Sequence, residues 1–142
     1  MLPPGYMERF EKILKQKFVN NEIHLAFHWE TIPEARMLIK QLAQMKRELA
    51  LIKTEANNQI KMIKGQYSVS KSNVTEGFWA SLGGRSSAAR DRATKREKIR
   101  IEEQNAIAPY ELAKRAVDQT SVELDRIKIE VQQWILRNSD VK

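Results

Sequence analysis

The chain contains no cysteine. Disulfides, thiolate zinc sites and thiol catalysis are therefore excluded, and the fold has to be held by packing alone. Glycine and proline are also scarce, five and four among 142 residues, so turns are few and the elements between them are long. No apolar run approaches the roughly 18 residues a membrane span requires. The start, Met1-Leu-Pro-Pro-Gly5, has neither a basic flank nor an apolar core, so it does not read as a signal peptide, and the expected setting is cytoplasmic.

Catalytic patterns are missing in the same way. Gly83-Gly84 lacks the spaced glycines and Lys-Ser/Thr of a phosphate loop, and no serine stands in a nucleophile elbow. Carboxylates are plentiful but adjoin basic residues, as in Glu97-Lys98 and Asp125-Arg126, which suits solubilising pairs better than an acid–base dyad. His24 and His28 are four apart, but the pattern around them is not helical and no third ligand keeps a fixed register. The expectation is a non-enzyme with no cofactor, no metal and no small-molecule substrate.

What the chain does have is charge and periodicity. Charged residues make up 30% and apolar residues 42%, a balance suited to long helices with much of their surface in water. Two stretches carry apolar residues at alternating spacings of three and four. The first is Ala35, Leu38, Leu42, Met45, Leu49, Ile52, Ala56 and Ile63, with Gln59 in one polar slot; the second is Tyr110, Ala113, Val117, Thr120, Leu124, Ile127, Val131 and Trp134. Each forms a seam along one side of a helix, the pattern that a coiled-coil partner reads.

Thr31-Ile-Pro-Glu34 is a helix start, and Gly65 supplies a stop, so the first long helix is expected over 33–64. Pro109 should kink or break the last helical region, dividing a basic helix over 86–107 from a second long helix over 109–137. The connection 65–85 is expected to carry a short aromatic helix over 74–82. An amphipathic helix over 6–19 would pack at one end of the pair. Between them, Ile23, Leu25, Phe27 and Trp29 alternate with polar residues at the period of a strand, but the nearest candidate partner, residues 67–69, lies beyond the far end of the next helix, so the segment is expected to be irregular or helical, or to pair across a dimer. The expected fold is all-α: a single helical domain built on a long, coiled-coil-like antiparallel hairpin, with a short N-terminal helix and an inserted aromatic helix plus basic helix.

The net charge is +7 and is unevenly distributed: residues 85–100 hold seven Lys/Arg against two acids. Arg85, Arg90, Arg92, Lys95, Arg96, Lys98 and Arg100 are the candidate anion-binding or nucleic-acid-binding residues. The segment lacks a base-reading Asn, so contact with phosphates, without base readout, is the nucleic-acid reading. Phe78, Trp79 and Leu82 are the candidate protein-docking residues, since large aromatics on a connection either plug a bundle or anchor a partner. A two-helix hairpin buries little, so self-association is expected, through Ile39, Leu51 and Ile60. The functional expectation is a helical scaffold or adaptor that self-associates and docks a protein. A nucleic-acid-associated protein using 85–100 is the alternative, and an acidic membrane surface ranks below both.

Overall fold

The structure, a computed structural model, describes residues 1–18, 24–80 and 86–139, with side chains described outside 71–90. Three helices make up the regular structure of the described residues: α1 (Tyr6–Leu14), α2 (Ile32–Ala80) and α3 (Ser86–Ser139). At 1.5 Å per residue, α2 and α3 are each roughly 70–80 Å long. They pack side by side as a hairpin.

The register is fixed by two cross-helix ion pairs. Lys46 Nζ donates to Asp125 Oδ1 at 2.8 Å, and Lys53 Nζ to Asp118 Oδ1 at 2.7 Å. Seven residues forward along α2 match seven residues back along α3, so the helices are antiparallel. These half-exposed bridges contribute at most about 1 kcal/mol each and act mainly as register marks. The stability lies in the two seams between them. Leu42, Leu49, Ile52 and Ala56 on α2 and Ala113, Val117, Leu124 and Val131 on α3 are all buried.

Residues 1–18 and 24–31 form an arm that covers one half of this hairpin. Gly5 takes a left-handed conformation (φ 83°) ahead of α1, and Lys15 takes one (φ 55°) after it. α1 therefore ends at Leu14, short of the expected 19, and the turn at Lys15 sends Phe18 back to meet the Phe10 ring edge-on. Residues 24–30 are extended without being a strand. Their alternation is nonetheless used: Leu25, Phe27 and Trp29 are half-buried against the helices while His24, Ala26, His28 and Glu30 are exposed. The missing strand partner is replaced by a side chain. The Gln16 amide donates to Ala26 O at 3.0 Å and accepts from Ala26 N–H at 3.3 Å, the pair of bonds a neighbouring strand would supply.

Entry into α2 follows the expected cap. Thr31 Oγ1 accepts from the Glu34 N–H at 3.3 Å, while the Glu34 carboxylate accepts from the Glu30 N–H at 2.9 Å. The far boundaries differ from the sequence reading. α2 passes through Gly65 and continues to Ala80, so residues 74–80 are its last turns and not a separate helix. An interior glycine costs only about 1 kcal/mol, too little to end a helix whose seam continues through half-buried Ile63 and Tyr67.

Nor is α3 divided at Pro109, so the expected separate helices over 86–107 and 109–137 are one. The reason is phase. Ile99, Glu103 and Ala106 are half-buried, and they keep the three-and-four spacing that Tyr110, Ala113 and Val117 continue. Small and polar residues in those slots hide an unbroken seam. One slot in α2 also moves: Ile60, not Gln59, is buried, so two successive spacings of four follow Ile52. Such a stutter relaxes the supercoil locally.

Candidate interaction surfaces

The arm divides the hairpin into two unlike halves. Tyr6 lies edge-on to Tyr110, with ring centroids 5.9 Å apart, and Trp29 meets Trp134 in the same way at 6.3 Å. Arg9 lies over the Tyr6 ring, 5.4 Å from its centroid, and ion-pairs with Glu55. The arm thus spans the hairpin from the level of Tyr110 to that of Trp134. The fully buried seam residues lie along this covered, proximal half and end at Ile60 and Ala113. Beyond them, in the distal half, no described residue is buried. A two-helix ribbon leaves both flanks of its seam open to water, and a third element is what closes one of them.

The Tyr6 hydroxyl has a measurable consequence. It is buried with no hydrogen-bond partner among the described residues. Burial raises its pKa above the ordinary phenol value; Glu55 and Tyr110 push the same way, and the Arg9 guanidinium pulls against them. A raised folded-state pKa means the native state holds the proton more tightly than the unfolded chain. The associated stability is complete below about pH 10 and is lost as pH rises through the folded value. Tyr6→Phe should therefore match or slightly exceed the wild type at pH 7, by up to about 1 kcal/mol, because no bond is broken. It should also unfold less readily than wild type above about pH 10. Urea midpoints at the two pH values test this, and a large loss at pH 7 would show that the hydroxyl is bonded.

Those sequence-derived site residues that are described fall in the distal half. Phe78 and Trp79 lie in the last turns of α2, with side chains outside the described residues; Leu82 and Arg85 lie outside them altogether, as does the side chain of Arg90. Arg92 is half-buried at a seam position seven residues before Ile99, whereas Lys95, Arg96, Lys98 and Arg100 are exposed. The basic helix is also less uniformly basic than its charge count suggests, because Arg100 ion-pairs with Glu97, whose carboxyl is held below its usual range chiefly by that hydrogen bond.

Two surfaces escaped the sequence reading. The first is on α3. Val122, Ile129 and Leu136 are seven apart and 66%, 54% and 66% exposed. Val122 and Ile129 each precede a buried seam residue, Leu124 and Val131, by two positions, so they lie on the face turned away from α2. Of the residues expected to mediate further packing, Ile60 is buried and Ile39 packs against the core, leaving Leu51, which is 67% exposed. The signal was present in the spacing but masked by the stronger seam beside it. The second is the flank of the covered half along which Lys46 and Lys53 meet Asp125 and Asp118.

Chemistry is sparse elsewhere. A cavity of about 780 Å³ opens between Phe10, Phe18 and Leu25 of the arm and Ala116 and Thr120 of α3, with Glu123 and Arg126 also in its lining. His24, Gln119 and Val122 complete its lining, and the Glu123 and Arg126 side chains within it are paired with each other. His28 Nε2 lies 3.1 Å from Glu30 Oε1 on the surface, and among the described residues no three His, Asp or Glu side chains gather as a metal site would require. Among the described residues no helix is long and apolar enough to cross a membrane. Comparison with protein-family models, with curated proteins and with solved structures finds no match to this chain.

Proposed function

We propose that this chain is a non-enzymatic helical adaptor that self-associates and docks a protein partner. One observation carries the reading: the hairpin is closed by its own arm over only half its length, while apolar residues recur at a seven-residue interval on the outer face of α3. In a soluble helix the positions farthest from the partner are ordinarily polar. Val122, Ile129 and Leu136 occupy those positions instead, and a second copy using the same stripe would bury them symmetrically.

Self-association is tested by sedimentation equilibrium. The wild-type chain is expected to form a defined oligomer. Val122→Glu with Ile129→Glu is expected to give a monomer of unchanged helicity, since neither side chain belongs to the core. A wild type that stays monomeric at about 100 μM, weaker than specific assemblies of useful affinity, would remove self-association from the proposal. The basic distal half also supports a nucleic-acid reading. That binding should fall steeply between low and moderate salt, and should disappear when Arg92, Arg96 and Arg100 are replaced by Ala.

A further inference from the structure

Where the arm ends, each helix of the hairpin carries a residue that helix interiors disfavour. The register of Lys46 with Asp125 and Lys53 with Asp118 sets Gly65 of α2 opposite Ala106 of α3, within one turn of Pro109. Ile60 and Ala113, the last fully buried residues of the two seams, stand just short of this level. The α2 seam also changes its spacing on the approach, with four residues from Ile52 to Ala56 and four more to Ile60.

Each of the two residues loosens its helix on a definite side. Pro109 stands seven residues before Ala116, which lines the cavity beneath the arm, so its ring shares the flank that the arm occupies. With no N–H, it leaves the Asn105 carbonyl without its helical donor, and its ring presses on that same carbonyl. The turns part on the crowded side, and a helix parted on one side bends away from it. Gly65 stands two residues after Ile63 and two before Tyr67, both half-buried, so it lies on the side of α2 turned away from α3. A Cβ there would meet nothing within 4 Å, so no neighbour braces that turn, and glycine adds backbone freedom of its own. Pro109 gives α3 a direction of bending, and Gly65 gives α2 the freedom to follow.

We infer that the hairpin hinges at the level of Gly65 and Pro109, its distal half swinging as a unit away from the flank of the arm while the covered half stays rigid. Hinges absorb a change of shape at a few residues between stiffer bodies. On the near side, the arm and two cross-helix ion pairs hold α2 and α3 together. On the far side, half-buried Ile63, Tyr67 and Ile99 continue the seam, so the two helices travel side by side. A swing of roughly 20°, the size of a proline kink, carries the end of α2 at Ala80 roughly 8 Å sideways. Exposed Lys95, Arg96 and Lys98 are then presented over a range of angles to the covered base. The hinge does not depend on the adaptor reading, and either stands if the other fails.

Residual dipolar couplings of the backbone amides, measured on the full chain in a dilute liquid-crystal medium, test the hinge. Couplings from α2 before Ile60 and from α3 after Ala113 should share one alignment. Those from residues 67–80 and 86–105 should be smaller by one common factor, a loss of roughly 10–20% for a swing of roughly 20–30°. Gly65→Ala with Pro109→Ala should restore their full magnitude, and both changes favour helix, so the variant keeps its fold. Full magnitude in both halves of the wild type, on common or on rotated axes, means a rigid rod or a fixed kink and overturns the hinge. A loss that deepens residue by residue toward Ala80 and Ser86 is fraying and overturns it as well. So does a common loss that persists unchanged in the double variant.

Discussion

Phe10→Ala is expected to destabilise the chain by about 3–5 kcal/mol, the cost of removing a buried aromatic ring and leaving its cavity. Phe10 is 1% exposed and lies where the arm meets the hairpin, edge-on to Phe18. The ring links three layers: α1, the returning chain at Phe18, and the seam between α2 and α3. If the arm is part of the core, urea unfolding of the variant should stay cooperative, with a lower midpoint and a similar slope. Met62→Ala provides the contrast. Met62 is 57% exposed in the uncovered half, and its removal should change stability by no more than about 0.5 kcal/mol. A Phe10→Ala chain as stable as Met62→Ala would mean that the arm merely rests on a hairpin able to stand without it.

That contrast bears on how much of the fold can be read along the chain. The two seams are legible because helical packing repeats the same demand every three or four residues, and Leu42, Leu49, Leu124 and Val131 meet it in register. The start of α2 is legible because capping is local chemistry between Thr31 and Glu34. The arm is less so. Its alternation at Leu25, Phe27 and Trp29 correctly marks which side chains face inward, but strand pairing is replaced by the Gln16 amide, and no periodicity reports a single side chain acting as a neighbouring backbone.

The helix ends fail for a different reason. Gly65 and Pro109 are local penalties, and a local penalty ends a helix only when nothing on either side holds the same phase. Here Ile63 and Tyr67 hold it across the glycine, and Ala106 and Tyr110 hold it across the proline. The candidate site was legible as charge but not as geometry. The basic run at Arg92–Arg100 is plain in the sequence, whereas the pairing of Arg100 with Glu97 on its own helix appears only in the structure.

Pro109→Ala should then stabilise the chain, by up to about 3 kcal/mol, the difference between the two residues in a helix interior. Pro109 has no N–H to donate to the carbonyl of Asn105, four residues back, and its ring crowds that carbonyl. The rigidity of proline in the unfolded chain offsets part of the gain, by about 0.4–1 kcal/mol, so a net increase near 2 kcal/mol is expected. Gly65→Ala should add about 1 kcal/mol, since Gly65 is helical and a Cβ there would meet nothing within 4 Å.

The two sites are related by the hairpin itself. The register of the lysine–aspartate bridges brings Gly65 level with Ala106, within one turn of Pro109. Both helices are thus weakened at one level, just beyond the point where the arm ends and where α2 spaces its seam by two fours. Hydrogen exchange can locate the effect. In the wild type, amides beyond this level should exchange faster than those around Leu49 and Leu124, because they open without unfolding the covered core. In the double variant the slowing should be greatest around Gly65 and Asn105. An unchanged exchange pattern with an unchanged melting temperature would show that the helix already tolerates Pro109 at no cost, and that the distal half opens for want of burial alone.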